Sequence, residues 1–154
     1  MTVPYEGATS GAKARDEITK MLRRFGCDSI GFMDDFEQQE LVLYFKHRGQ
    51  SLLLKASAKG WAALYLKEHP YNYARHQKRS KQEHEQRALA QGLIAVNSIL
   101  RDWVKGQVMA VECGILSFEA VFMPYMLTRD GVPLMERIKQ TKLLTAGEDK
   151  DDGA

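Results

Sequence analysis

The chain has 154 residues and a mass of 17.5 kDa, enough to close one hydrophobic core and too little for two domains of ordinary size. Hydrophobic residues make up 44% and charged residues 27%, which excludes the disordered, collagen-like and disulfide-scaffold classes. The net charge of +2 is unevenly spread: residues 45–90 carry ten basic and three acidic side chains, whereas the stretches on either side are each net acidic.

Residues 1–9 read as an N-terminal extension with neither the basic start nor the apolar run of a secretory signal, and no window is long and apolar enough to span a membrane. A cytoplasmic protein is expected. Ser10 precedes Ala14, Ile18, Met21, Leu22 and Phe25 at helical spacing, with Gly26 just beyond, so the pattern predicts a capped amphipathic helix. Ser29 to Met33 reads as a first strand, followed by the acidic run Asp34, Asp35, Phe36, Glu37. From Leu41 to Lys46 apolar residues alternate at period two, His47-Arg48-Gly49-Gln50 supplies a hairpin turn, and Ser51 to Ala56 returns as a third strand.

Beyond Ala58 the period becomes helical again. Trp61, Leu64 and Tyr65 fit a short helix that must stop ahead of Pro70, with Trp61 and Tyr65 expected in the core. From Ser80, the residues Leu89, Leu93, Val96, Leu100, Trp103, Val104, Val108 and Val111 predict a helix of nearly nine turns, interrupted by Gly92 and Gly106 as points of close packing or kinking. Gly114 is a stop. Ser117 starts a helix expected to run toward Met126 with a bend at Pro124, residues 128–133 form a turn, and Leu134 to Lys142 form a last short helix. The predicted fold class is α+β, a three-stranded antiparallel meander packed by an N-terminal helix and a long C-terminal helical segment. Residues 10–142 form its single domain, and 143–154 form a disordered acidic tail.

The basic middle third, interleaved with aromatic residues, points to an anionic partner. Phosphates are held by cations tracking a backbone, and each base stacked on an aromatic face contributes about 1–3 kcal/mol. The candidate nucleic-acid-binding residues are Lys46, Arg48, Lys55, Lys59, Tyr71, Tyr73, Arg75, Lys78, Arg79 and Lys81. The alternative for the same charges is a solvated face that keeps the protein soluble.

Other chemistry finds less support. Asp34, Asp35, Glu37 and Glu40 are hard oxygen ligands suited to magnesium, but Glu40-Leu41-Val42 puts valine where a nuclease E-x-K element needs lysine, and the run lacks the spacing of a calcium loop. His69, His76 and His84 recur at spacings that match no zinc motif. Cys27 and Cys113 carry no metal-ligand spacing; Cys113 is expected at a helix C-terminus as a core or boundary residue, where the helix dipole disfavours a thiolate. Neither catalytic residues nor a metal or cofactor site are expected, since phosphate-loop, dinucleotide and hydrolase-elbow motifs are missing.

Arg24-Phe25-Gly26-Cys27 leading into Ile30-Gly31-Phe32, the hairpin Phe45-Lys46-His47-Arg48-Gly49, and the run Lys105 to Ile115 with Phe118, Glu119 and Phe122 resemble a family of small proteins encoded in tailed-bacteriophage genomes. The resemblance covers residues 10–135 and departs from that pattern at Ala56 to Trp61. It implies an intracellular protein used during infection and carries no activity with it. The physical reading of the run is a buried corner built on Val111, Ile115, Phe118 and Phe122 and capped by Gly114.

Two functions follow as expectations. The first is a non-catalytic accessory protein of phage or bacterial DNA metabolism that binds nucleic acid, single-stranded rather than duplex. The second is a protein-binding module that inhibits a host defence or replication protein through a face of the long helix. A metal-dependent nuclease on Asp34, Asp35 and Glu37 ranks third. With Met109, Met123 and Met126 nearby, the long helix suits a homo-oligomer as readily as a core.

Overall fold

The computed structural model describes residues 3–75 and 78–145. Helix α1 (Ala12–Phe25) leads into strands β1 (Cys27–Asp35), β2 (Glu40–His47) and β3 (Gln50–Ser57). Helices α2 (Ala58–Glu68), α3 (Lys81–Glu112), α4 (Phe118–Phe122) and α5 (Leu134–Thr141) follow, with a 3-10 turn, Met123–Tyr125, after α4. The fold is α+β, and the sheet is an antiparallel meander in the order β1-β2-β3.

Period-two alternation decides which face of the sheet is buried. Ile30 lies opposite Phe45, Phe32 opposite Leu43, and Leu43 and Phe45 opposite Leu54 and Leu52. These side chains share one face and join Ile18 and Leu22 of α1 and Val96, Leu100, Val104 and Val108 of α3 in a single cluster. The other face carries Met33, Tyr44, Lys46, Leu53 and Lys55, and Met33 is 56% exposed. The β2–β3 turn places both Arg48 (φ 48°) and Gly49 (φ 82°) at positive φ, which a two-residue hairpin of the type I′ class requires.

Helix α1 ends on Gly26, whose φ of 106° lets its N–H reach back to the carbonyls of Arg23 and Leu22. Its start differs from the expectation. Gly11, not Ser10, is the N-cap, and Ser10 Oγ accepts only the Ala12 N–H at 3.1 Å. The reason is close approach: a Cβ on Gly11 would stand 2.3 Å from Nδ2 of the buried Asn97 on α3. Asn97 Oδ1 accepts from Arg15 Nε at 2.7 Å, and Arg15 Nη2 reaches Asp34 at 2.6 Å, so one arginine joins α1, α3 and β1.

Helix α3 starts on Ser80, whose Oγ accepts the Glu83 N–H. Its first half buries Ala88, Gly92 and Ala95, leaving Leu89 and Leu93 half-buried, because α2 lies close enough that Gly92 faces Ala58 and Trp61 directly. Trp61 is in the core, as expected, and its Nε1 donates to the Pro4 carbonyl at 2.8 Å. The N-terminal segment is thereby drawn onto the domain: Val3 is buried, and Gln91 Nε2 donates to the carbonyls of Glu6 and Ala8.

Past α3 the sequence expectations need correction. The helix from Ser117 ends at Phe122 and tightens into the 3-10 turn at Pro124, because proline has no N–H to continue the α ladder. Val111, Phe118 and Phe122 join the core, but Ile115 is 73% exposed. Cys113 is exposed rather than core or boundary. The expected acidic tail lies outside the described residues from position 146 onward. Among the described residues no helix is long and apolar enough to cross a membrane.

Candidate nucleic-acid interface

The basic segment between α2 and α3 is a built loop. Helix α2 stops at Glu68, where the His69 N–H still reaches the Tyr65 carbonyl at 2.7 Å and Pro70 bars continuation. Tyr71 Oη then donates to the Arg79 carbonyl at 2.9 Å, closing the loop across its mouth. Inside it, Asn72 Oδ1 accepts the N–H groups of Ala74 and Arg75, a local turn that asparagine favours. Below it, the buried His84 reaches back from α3: its Nε2 is 2.8 Å from the His69 carbonyl, and its Nδ1 is 3.2 Å from Arg79 Nη1. His76, one of the three histidines of the sequence pattern, lies outside the described residues.

Tyr73, Arg75, Lys78 and Lys81 are exposed on this loop and at the start of α3, with Tyr73 76% exposed. Tyr71, paired with Tyr73 by sequence, is instead half-buried against His84. Lys59 sits exposed in the first turn of α2. Lys55 is on the outer sheet face in an ion pair with Glu136 of α5 at 2.9 Å. Lys46 and Arg48 lie at the β2–β3 turn, beside His47, which stacks on Phe118 beyond the end of α3. The 32 residues of α3 rise about 48 Å, so most of that length separates these two cations from the loop. The ten residues therefore occupy four places, of which the loop with the start of α3 brings together the most.

One further cation belongs with the loop. A groove of about 450 Å³ beside it is lined by Glu6, Tyr65, Arg79, Arg87 and Gln91. Arg87 and Tyr65 were not among the sequence candidates. The available signal was the helical spacing that places Arg87, Gln91 and Ile94 along one side of α3.

Two of the acidic candidates, and one of the histidines, have structural partners. Asp34 is bound by Arg15, and Asp35 Oδ1 accepts the N–H groups of Glu37 and Gln38, shaping the β1–β2 turn. His69 Nε2 contacts Glu6 at 2.7 Å. Among the described residues, no three His, Cys, Asp or Glu side chains gather as a metal site would need.

A buried cluster that the sequence did not reveal surrounds His47. Its ring lies between Phe25 and Phe118, each 4.6 Å away centroid to centroid, and Cys27 Sγ is 3.8 Å from Nδ1. Burial, then the neighbouring Arg48, hold this imidazole below its ordinary pKa despite the opposing pull of Asp28. Burial and then Asp28 push the Cys27 thiol up to about 11, so it is no thiolate nucleophile near neutrality. The cluster is packing, not a reactive dyad.

No protein-family model, curated protein or solved structure matches the chain.

Proposed function

We propose that the chain is a non-catalytic nucleic-acid-binding protein, an accessory factor of phage or bacterial DNA metabolism, whose contact surface is the α2–α3 loop. One observation carries this reading. Tyr73 is 76% exposed on the loop that also exposes Arg75 and Lys78 and leads to the exposed Lys81, and none of these cations has a carboxylate partner among the described residues. An aromatic face with unpaired cations around it suits single strands, whose bases are free to stack; a duplex offers it only phosphates. The resemblance to tailed-phage proteins supports a role during infection. Fluorescence anisotropy against single-stranded DNA, single-stranded RNA and duplex DNA, at about 50 and 200 mM salt, tests it. Salt-sensitive binding that favours a single strand, with a flatter salt dependence in the Arg75→Ala/Lys78→Ala/Arg79→Ala variant, is the expected result. An unchanged salt slope in that variant rejects the assignment.

A second reading, a protein-binding module directed at a host protein, draws on exposed apolar residues from the end of α3 onward. Met109 is exposed on the last turns of α3, Ile115, Leu116 and Met123 beyond it, and Met135, Leu143 and Leu144 on and after α5; Met123 and Met135 border a groove of about 540 Å³ between α4 and α5. Exposed apolar surface lining a groove marks interaction sites. This reading predicts a host-lysate complex that survives nuclease treatment and is lost in Leu116→Ser/Met123→Ser. A complex that vanishes with nuclease counts against it.

A further inference from the structure

The groove between the N-terminal segment, α2 and the first turns of α3 has a charge arrangement unlike the rest of the chain. Arg15, Arg101 and Arg137 are partly buried and each is bound by a carboxylate, from Asp34, Asp102 and Asp130 respectively. Arg79 is also half-buried, but an imidazole holds it. A carbonyl can only accept, so His84 Nε2 donates to the His69 carbonyl and Nδ1 is left to accept from Arg79 Nη1. Tyr71 Oη fixes the Arg79 backbone through its carbonyl. The guanidinium is thus oriented by the imidazole and by its own backbone, and it makes no ion pair among the described residues.

Arg87 enters the same groove from α3 and makes no ion pair among the described residues. The one carboxylate lining the groove, Glu6, is turned onto His69 Nε2 at 2.7 Å. Gln91 Nε2 donates to the Glu6 and Ala8 carbonyls, so these N–H groups are committed to the N-terminal segment. Two guanidiniums facing one groove match a tetrahedral oxyanion, because each planar fork can donate two parallel N–H bonds. A volume of about 450 Å³ leaves room for the sugar attached to a phosphate.

We infer that this groove is a phosphoryl site, with Arg79 and Arg87 clamping a backbone phosphodiester of the single strand whose bases reach Tyr73. The inference rests on the nucleic-acid reading. A free phosphate compound would present the same chemistry, and the test separates the two sources.

The experiment uses the full chain and two readouts. In the first, anisotropy with a labelled single-stranded oligonucleotide compares wild type with Arg87→Gln, Arg79→Gln, Arg87→Lys and the charge-matched control Arg23→Gln on the exposed surface of α1. Each Gln variant should weaken binding about tenfold and lower the salt slope by about one. Arg87→Lys should fall between, and Arg23→Gln should bind as wild type. Arg87 is exposed, so its replacement keeps the fold even where Arg79→Gln disturbs His84.

The second readout follows the Arg79 and Arg87 Nε–H NMR signals during titration with the oligonucleotide and, separately, with inorganic phosphate. Shifts with the oligonucleotide support the clamp. Oligonucleotide binding that leaves both signals and both Gln variants unchanged overturns the clamp and spares the nucleic-acid reading. Shifts with inorganic phosphate but no oligonucleotide binding keep the phosphoryl chemistry and overturn the polynucleotide as its source, and with it the nucleic-acid reading. No shift with either overturns the site.

Discussion

Two glycines inside α3 should respond to alanine with opposite signs. At Gly106 a Cβ would meet nothing within 4 Å, so Gly106→Ala gains only the difference in helix propensity, about 0.8–1.0 kcal/mol. At a few degrees per kcal/mol, that raises Tm by roughly 2–4 °C in a chain of this length. At Gly92 the same gain meets a cost. The new Cβ would stand 3.0 Å from the Ala58 carbonyl oxygen, 3.2 Å from Trp61 Cε3 and 3.3 Å from Ala58 Cβ. Backbone cannot rotate away as a side chain can, and the Trp61 ring is held by its Nε1 bond to Pro4 and its stack on Tyr65. Helix α2 must therefore shift as a unit, an overpacking that costs about 1–3 kcal/mol and outweighs the propensity gain. Gly92→Ala is expected to lose about 1 kcal/mol net. The two sites are about 21 Å apart along the helix, so the double variant should show the sum. Urea denaturation with m-values checks all three. A Gly92→Ala protein stabilised as much as Gly106→Ala would refute the claim that α2 and α3 are locked in contact there.

Four other perturbations test the packing. Because His47 is held below its unfolded value of 6.5, the unfolded chain takes up its proton first, and stability is lost as pH falls from about 6.5 toward the folded value. His47→Phe, which fits the Phe25–Phe118 stack, should flatten that acid limb in pH-dependent urea unfolding; an unchanged limb would mean that His47 does not titrate differently on folding. Cys27 acts at the other end: its unfolded thiol ionises near 9.0 and the folded one near 11, so stability falls as pH rises between them, by up to roughly 2–3 kcal/mol, and Cys27→Ala should remove that slope. Arg48→Asn should stabilise by about 1 kcal/mol, because asparagine tolerates the left-handed conformation at φ 48° better; equal or lower stability would reject the turn assignment. Gly11→Ala drives a Cβ to 2.3 Å from a buried, fully bonded Asn97 and should cost about 2–3 kcal/mol, against near neutrality if α1 can slide.

Much of this architecture was legible wherever a local rule coincided with the global packing. Gly26 as a left-handed stop, alternation in β2, Ser80 as a cap and Pro70 as a barrier each state a backbone requirement that neighbours in sequence decide. The misses share a different origin. The buried face of early α3 runs through Ala88, Gly92 and Ala95 because α2 lies close, and side-chain size alone favoured Leu89 and Leu93. The His47 stack needs Phe25 and Phe118, 22 and 71 residues away in sequence, and no periodicity connects them. The candidate interface was legible as charge and not as place. Counting cations over residues 45–90 cannot show that α3 holds Lys46 and Arg48 apart from Arg75 and Arg79, or that Arg87 shares a groove with Arg79.

That separation makes the two functional readings independent. The cationic loop and the Arg79–Arg87 groove sit at the N-terminal end of α3, and Met109, Ile115 and Leu116 are exposed at and just past its C-terminal end. The helix is one continuous element about 48 Å long, so a substitution at one end shares no contact with the other. Free energies at such distances add. Arg87→Gln should therefore weaken oligonucleotide binding and leave any nuclease-resistant protein complex intact, and Leu116→Ser should do the reverse. The double variant should show both losses with no coupling beyond about 0.5 kcal/mol. A single substitution that abolished both activities would mean that they use one surface, which this arrangement of charge and apolar groups at opposite ends of a helix forbids.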